Sequence, residues 1–318
     1  MPNAPNGRPD RRSIDFYVQA TAEIGMGHLS RAGALAQQLE DLGIMCRITA
    51  DTDAQGLSFA RSHHMVVGGE LRGEADVVVI DAVDVPAATA RTISTYPIRV
   101  LTSPSFRRAD IATHVLVRDA PQRLVDSMAA TAHLQIDPRF AFATAHGAGT
   151  LAGDFTDIRV GLCLTAGTGA TAAPILACLL AEVGITRITA IGDIALPVGE
   201  GERTRLRHTR FTDDPWHFLE GSNVFVGGDG VMVSEAVARA LPTFSVTTRT
   251  RLEKNRALVE AGAIEPVLSE DLDCRRLQQR IMDRDRLQQL HEAAKACYQP
   301  SDSQALAKAI ERICDGRE

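Results

Sequence analysis

The chain has 318 residues, 45% of them hydrophobic, and a formal net charge of −6. That length and apolar content suit two cored domains rather than one, and the acidic balance argues against a nucleic-acid-binding surface. No apolar run approaches the roughly 20 residues that a membrane-spanning helix needs.

The opening "MPNAPNGRPDRR" is polar and rich in Pro and Asn, and reads as a disordered tail over 1–12 rather than a signal peptide. Apolar runs then alternate with amphipathic segments. Strands are predicted near 14–20, 44–50, 64–67, 76–81, 98–102 and 114–117, with helices over 29–42, 86–95 and 121–133. "TAHGAGTLAGDF", 144–155, is small and glycine-rich and marks the linker, taken as 144–157. After it the rhythm restarts. "IRVGLCLTA", "RITAIG", "RLRHTRF", "NVFVGG" and "PTFSVT" read as strands. "AAPILACLLAEVG", "PWHFLEGS", "GVMVSEAVARAL" and a segment from 252 read as helices. The tail "SDSQALAKAIERIC" reads as a helix capped by Ser301 or Ser303. Strand–helix alternation on both sides of a glycine-rich break predicts two doubly wound, Rossmann-like α/β domains, 13–143 and 158–300. The six cysteines show no CxxC spacing and read as reduced thiols of a cytoplasmic protein.

The first strand-to-helix turn, "TAEIGMGHLSR", carries Gly25, Met26, Gly27, His28 and Arg31. A dinucleotide fingerprint would need a third glycine, where Ser30 stands, with Asp51 or Asp53 as its acidic partner. Glycines let a ligand approach the backbone. A histidine in the first turn of a helix feels a dipole that disfavours imidazolium, which suits a general base. The plainer alternative for His28 is a cap or a gap-filler. A second glycine-rich turn, Gly227-Gly228-Asp229-Gly230, opens a helix as anion sites do. Asp229 fits a diphosphate there only if it points away or caps the helix. Glu235 is placed to take ribose hydroxyls, unless it is an ordinary solvated helix glutamate. "TAGTGAT", 165–171, is a third such turn, with Gly167, Thr168, Gly169 and Thr171. Asp-x-Asp strings at 51–53, 271–273 and 283–285 are chance-level matches, the first suiting acceptor binding or turn capping. His63-His64 sits in a strand-like run with no third metal ligand nearby.

"GMGHLSR" together with "VFVGGDGVMVSEAVARALPTFSV…EKNRALVEAGA" resembles GT-B nucleotide-sugar enzymes. The likeness is greatest to the UDP-sugar hydrolases of pseudaminic acid biosynthesis and to the peptidoglycan N-acetylglucosaminyltransferases. The resemblance implies two Rossmann-like domains facing a cleft, with the helix of 301–318 packed back on the first. It implies His28 as catalytic base, and Gly25, Met26, Gly27, Arg31, Asp51, Asp81 and Ser103 on the acceptor side. Gly167–Thr171 and Gly227–Gly230 would meet the diphosphate, Glu235 the ribose, and the backbone of Phe211 and Thr212 the base. Asn255 would face the donor, and Arg256, or Arg249 and Arg251, would add charge.

The chain departs from the hydrolases where the acceptor is handled. Asp81-Ala82-Val83 lacks their tyrosine, Thr102-Ser103 replaces their Asp-Asp, and Arg256 replaces a Gln. The implied function is therefore a metal-independent inverting glycosyltransferase with a UDP-sugar donor and a small-molecule acceptor. It needs no cofactor, no nucleic acid and no membrane span. Hydrolysis of the UDP-sugar and non-catalytic nucleotide-sugar binding are the alternatives.

Overall fold

The computed structural model describes residues 12–21, 23–63, 65–145, 154–164, 169–195, 205–212 and 214–317. Gly167, Thr168 and His64, most of the expected linker and nearly all of the expected tail lie outside them. The chain divides into two compact units: 1–21 with 28–136 and 304–318, and 22–27 with 137–303.

The first unit holds β1 (Ser13–Ala20), α1 (Gly27–Asp41), β2 (Met45–Thr52), α2 (Ala54–Ser62), β3 (Val67–Gly68), β4 (Val77–Asp81), α3 (Ala87–Ile93), β5 (Ile98–Leu101), β6 (His114–Val117), α4 (Gln122–Ser127) and β7 (His133–Ile136). Its sheet runs β3-β2-β1-β4-β5-β6-β7 with every pair parallel. β1 and β4 are buried on both faces, which explains their near-continuous apolar runs. α1 buries Leu29, Ala32, Leu35, Ala36 and Leu39, the stripe of a helix lying on a sheet.

The second unit holds β8 (Ile158–Cys163), α5 (Gly169–Ala181), β9 (Ile185–Ile191), β10 (Leu206–Thr209), α6 (Pro215–Phe218), β11 (Val224–Gly228), α7 (Val231–Ala238), β12 (Thr243–Thr247), α8 (Arg256–Glu260), β13 (Ile264–Leu268), α9 (Cys274–Met282) and α10 (Arg284–Cys297). Its sheet, β10-β9-β8-β11-β12-β13, is again parallel throughout. A last helix, α11 (Ala305–Cys314), belongs to the first unit. In each sheet the strand order reverses beside the unit's first strand: between β1 and β4, and between β8 and β11. Ligands of doubly wound sheets bind at the carboxyl ends of the strands at such a reversal.

Several expectations need correction. The helix expected over 121–133 stops at Ser127, and 133–136 is the edge strand β7. All four β7 residues are exposed, so no alternation of buried and exposed positions could announce it. The segment after 252 opens as a 3-10 turn, and the unexpected β13 follows it. Pro266 argues against a strand, yet β13 lies at the sheet edge, where a missing N–H is tolerated. Ala305 opens α11 with no side-chain cap, so neither Ser301 nor Ser303 caps it. His63 ends α2 rather than lying in a strand, with its ring stacked on Phe59. Two of the six cysteines are not free thiols. Cys178 on α5 and Cys274 on α9 are disulfide-bonded with Cα atoms 5.5 Å apart, a separation that a disulfide spans.

Candidate active site

In the first unit, His28 and Arg31 lie on α1, just after β1, and Asp81 ends β4 across the reversal point. Gly25, at φ +91°, supplies the left-handed turn that leads into α1. The three side chains form one constellation. His28 Nδ1 lies 2.5 Å from Asp81 Oδ1. Arg31 donates from Nε to Asp81 Oδ2 at 2.6 Å and from Nη2 to Asp81 Oδ1 at 2.5 Å. Asp81 is 1% exposed. Burial alone would push its pKa up, but the Arg31 guanidinium and His28 outweigh burial and hold it below the ordinary carboxylate range.

A carboxylate on Nδ1 fixes the tautomer that carries hydrogen there and leaves Nε2 as the free acceptor. That is the state a base needs. Arg31 Nη2 also lies 3.3 Å from His28 Nδ1. With Nδ1 protonated toward Asp81, this contact is a neighbour and not a bond. Ser103 lies just past β5 at the same rim, fully buried, and its hydroxyl has no partner. Asp51, next to last in β2, accepts from Gln19 Nε2 at 3.3 Å. Met26 is half-buried in the turn.

In the second unit, the Gly227–Gly230 turn runs from the end of β11 to the N-terminus of α7. A Cβ on Gly227 would come within 2.4 Å of the Phe225 ring, so the glycine is sterically required. Gly230 caps α7 with no side-chain hydrogen bond. Asp229 does not cap the helix. It turns away, 5% exposed, to accept from Arg251 at 2.6 Å and Thr247 at 3.2 Å, with Lys254 Nζ 3.9 Å off. Two cations therefore gather around one carboxylate beside a helix N-terminus, a setting whose chemistry suits an anion. Asn255 is 4% exposed and its Oδ1 has no partner.

Glu235 is not a solvated helix residue: it is 7% exposed and accepts from Trp216 Nε1 at 2.5 Å. Burial pushes its pKa up, against the pull of the Trp216 bond and of Arg239. Arg239 in turn stacks over the Trp216 ring at 4.3 Å. The Phe211 carbonyl already accepts from Thr209 Oγ1 at 2.8 Å, and the Thr212 hydroxyl bonds back to Asp214. Gly169 and Thr171 lie in the first turn of α5. Arg256 is turned to Glu253 at 3.1 Å with its side chain 56% exposed, and Arg249 pairs with Asp271. Of the arginines proposed from sequence, only Arg251 reaches the turn.

Lys254, Thr247 and Trp216 escaped sequence reasoning. Lys254 is one of only three lysines, a scarcity that offers a signal, whereas nothing short of tertiary structure pairs Trp216 with Glu235. Asp53, Asp273 and Asp283, from the three Asp-x-Asp strings, each cap a helix. Among the described residues no group of three or more His, Cys, Asp or Glu side chains is placed to hold a metal ion, and no helix is long and apolar enough to cross a membrane.

No family model matches the sequence, and no curated protein matches it. Solved structures do match in fold. One is Staphylococcus aureus MnaA in a co-structure with UDP, at TM-score 0.64 and 10% identity, covering 96% of this chain and 97% of that one. Another is Anabaena HepE in complex with UDP and glucose, at TM-score 0.62 and 12% identity, covering 96% and 100%. A third is the spinosyn forosaminyltransferase SpnP, at TM-score 0.59 and 11% identity, covering 96% and 100%. The two Rossmann-like units define the fold as GT-B.

Proposed function

We propose that the chain is an inverting glycosyltransferase that uses a UDP-sugar donor and a small-molecule acceptor and requires no metal. The observation that carries the reading is the His28–Asp81–Arg31 constellation at the reversal point of the first sheet. His28 Nε2 takes the proton of an acceptor hydroxyl. The acceptor oxygen then bonds to the anomeric carbon, and the bond from that carbon to the diphosphate oxygen breaks with its electron pair on UDP. Asp81 and Arg31 hold the imidazole and touch no substrate.

The second unit supplies the leaving-group site. The α7 N-terminus, Arg251 and Lys254 stabilise the developing charge on the diphosphate by preorganised electrostatics, the part a metal would otherwise play. Gly227 and Gly228 admit it closely, Asn255 turns a free carbonyl oxygen to the donor, and Glu235 takes the ribose. Solved neighbours of the same fold that hold UDP support a nucleotide donor.

Hydrolysis differs only in the nucleophile. Purified protein incubated with UDP-sugars, with and without acceptors, tests the reading. Release of UDP that needs an acceptor is the expected result. Release at full rate with water alone would make the protein a hydrolase, and tight UDP binding with no release would make it a binding protein.

A further inference from the structure

The Cys178–Cys274 bond of the second unit is asymmetric. Cys178, near the end of α5, is 4% exposed, whereas Cys274, the first residue of α9, is exposed. Thiol–disulfide exchange attacks a single sulfur, so access to one of the two is enough, and exposed disulfides are the exchangeable ones. Cys274 also sits at the positive end of α9, which favours an anionic sulfur. The carboxylate beside it, Asp273, is committed to capping α9 and accepts from the Arg276 N–H at 3.1 Å.

Two contacts keep the sulfurs within reach of each other when the bond opens. Leu277 and Ile281 of α9 share one apolar cluster with Ile175, Leu176 and Leu179 of α5. Gln278 Nε2 donates to the Cys178 carbonyl at 2.7 Å. Neither contact involves sulfur, so the helix pair stays packed and closure remains intramolecular. The four free thiols, Cys46, Cys163, Cys297 and Cys314, are buried or half-buried. Burial pushes Cys46 and Cys163 up to about 12 and raises Cys297 and Cys314 as well. The thiolate is the nucleophile in such exchange, and thiols held protonated are inert.

We propose that Cys178 and Cys274 form a reversible thiol-exchange site, at which Cys274 takes up a low-molecular-weight thiol such as glutathione and Cys178 resolves the adduct. From the reduced state, the Cys274 thiolate bonds to one sulfur of glutathione disulfide and expels a glutathione thiolate. The Cys178 thiolate then bonds to the Cys274 sulfur and expels the second. The two cysteines lose two electrons, the glutathione disulfide gains them, and the two thiol protons pass to the departing thiolates. Reduction runs the same steps backwards, through the same adduct on Cys274.

The test holds the native full-length chain in mixed reduced and oxidised glutathione at pH 8, quenches samples with acid over time and maps adducts by mass spectrometry. The Trp216 unfolding transition, measured in the same buffer, shows that the second unit stays folded. The first glutathione should appear on Cys274, and excess oxidised glutathione should restore the Cys178–Cys274 bond. Cys178→Ser should trap one glutathione per chain on Cys274, about tenfold or more faster than on any of the four free thiols. Cys274→Ser should take up none on Cys178 while folded. The wild-type mapping stands even where a variant fails to fold. A bond that opens only in denaturant, the absence of any Cys274 adduct, or a first adduct on Cys178 or one of the four free thiols would overturn the proposal.

Discussion

Asp81→Asn is the substitution with the most to say about the first unit. Three donors converge on the two oxygens of Asp81: one from His28 and two from Arg31. An asparagine has one acceptor oxygen and one NH₂ group, so at least one of those donors would face another donor. The charge of Arg31, whose side chain is only 13% exposed, would also lose its counter-ion. Breaking a buried pair by removing one partner costs about 3–5 kcal/mol, and the lower end suits a guanidinium with some access to water. Turnover should fall by about 10²–10⁴-fold, because nothing then fixes the His28 tautomer. The chain has one tryptophan, Trp216, and it lies in the second unit. Unfolding of the first unit is therefore best followed by hydrogen exchange in α1 and β4. A loss of stability below about 1 kcal/mol, together with turnover near the wild-type level, would refute this account of the constellation.

The same group makes an acid-side prediction. The folded pKa of Asp81 is depressed, so its stabilisation is fully present above the unfolded value near 4 and is lost as pH falls below it; Asp81→Asn should flatten that acid limb in hydrogen-exchange titrations. Glu235 has the opposite sign. Its folded pKa is raised, so ionising it costs stability as pH rises past about 4.3, and Glu235→Gln should raise the Trp216-monitored unfolding midpoint at pH 8 but not at pH 4. Arg251→Met should weaken UDP binding by about 1.5–3 kcal/mol, the range for a charge-assisted contact, with unchanged calorimetry counting against the diphosphate site. Reducing the Cys178–Cys274 bond, which closes a 96-residue separation, should destabilise the second unit by about 2–4 kcal/mol in denaturant titrations.

The residues that announced the fold were those whose spacing is local. β1, β8 and β11 are short apolar runs, each followed by a glycine-rich turn and a helical segment, and β4 is an apolar run that ends in an acid; that grammar is readable without coordinates. The strands that escaped, β7 and β13, both lie at sheet edges, where exposure or a tolerated proline erases the pattern. The site divides in the same way. His28 and Arg31 are three residues apart on one helix and were visible together. Asp81 was visible as a strand-ending acid, but its place between them depends on β4 lying beside β1. Glu235 was visible as a helix carboxylate, while its burial against Trp216 is a tertiary fact. The bond between Cys178 and Cys274 joins two helices that only the folded second unit brings together.

The central claim is that His28 is the base of a reaction that expels UDP from a sugar donor. The most direct test is the rate of UDP release from UDP-sugars with and without a panel of small-molecule acceptors, for wild type and His28→Gln at matched UDP affinity. The account predicts acceptor-dependent release in the wild type and a loss of about 10²-fold or more in the variant. Equal rates in the two proteins, or no release from any UDP-sugar, would contradict it.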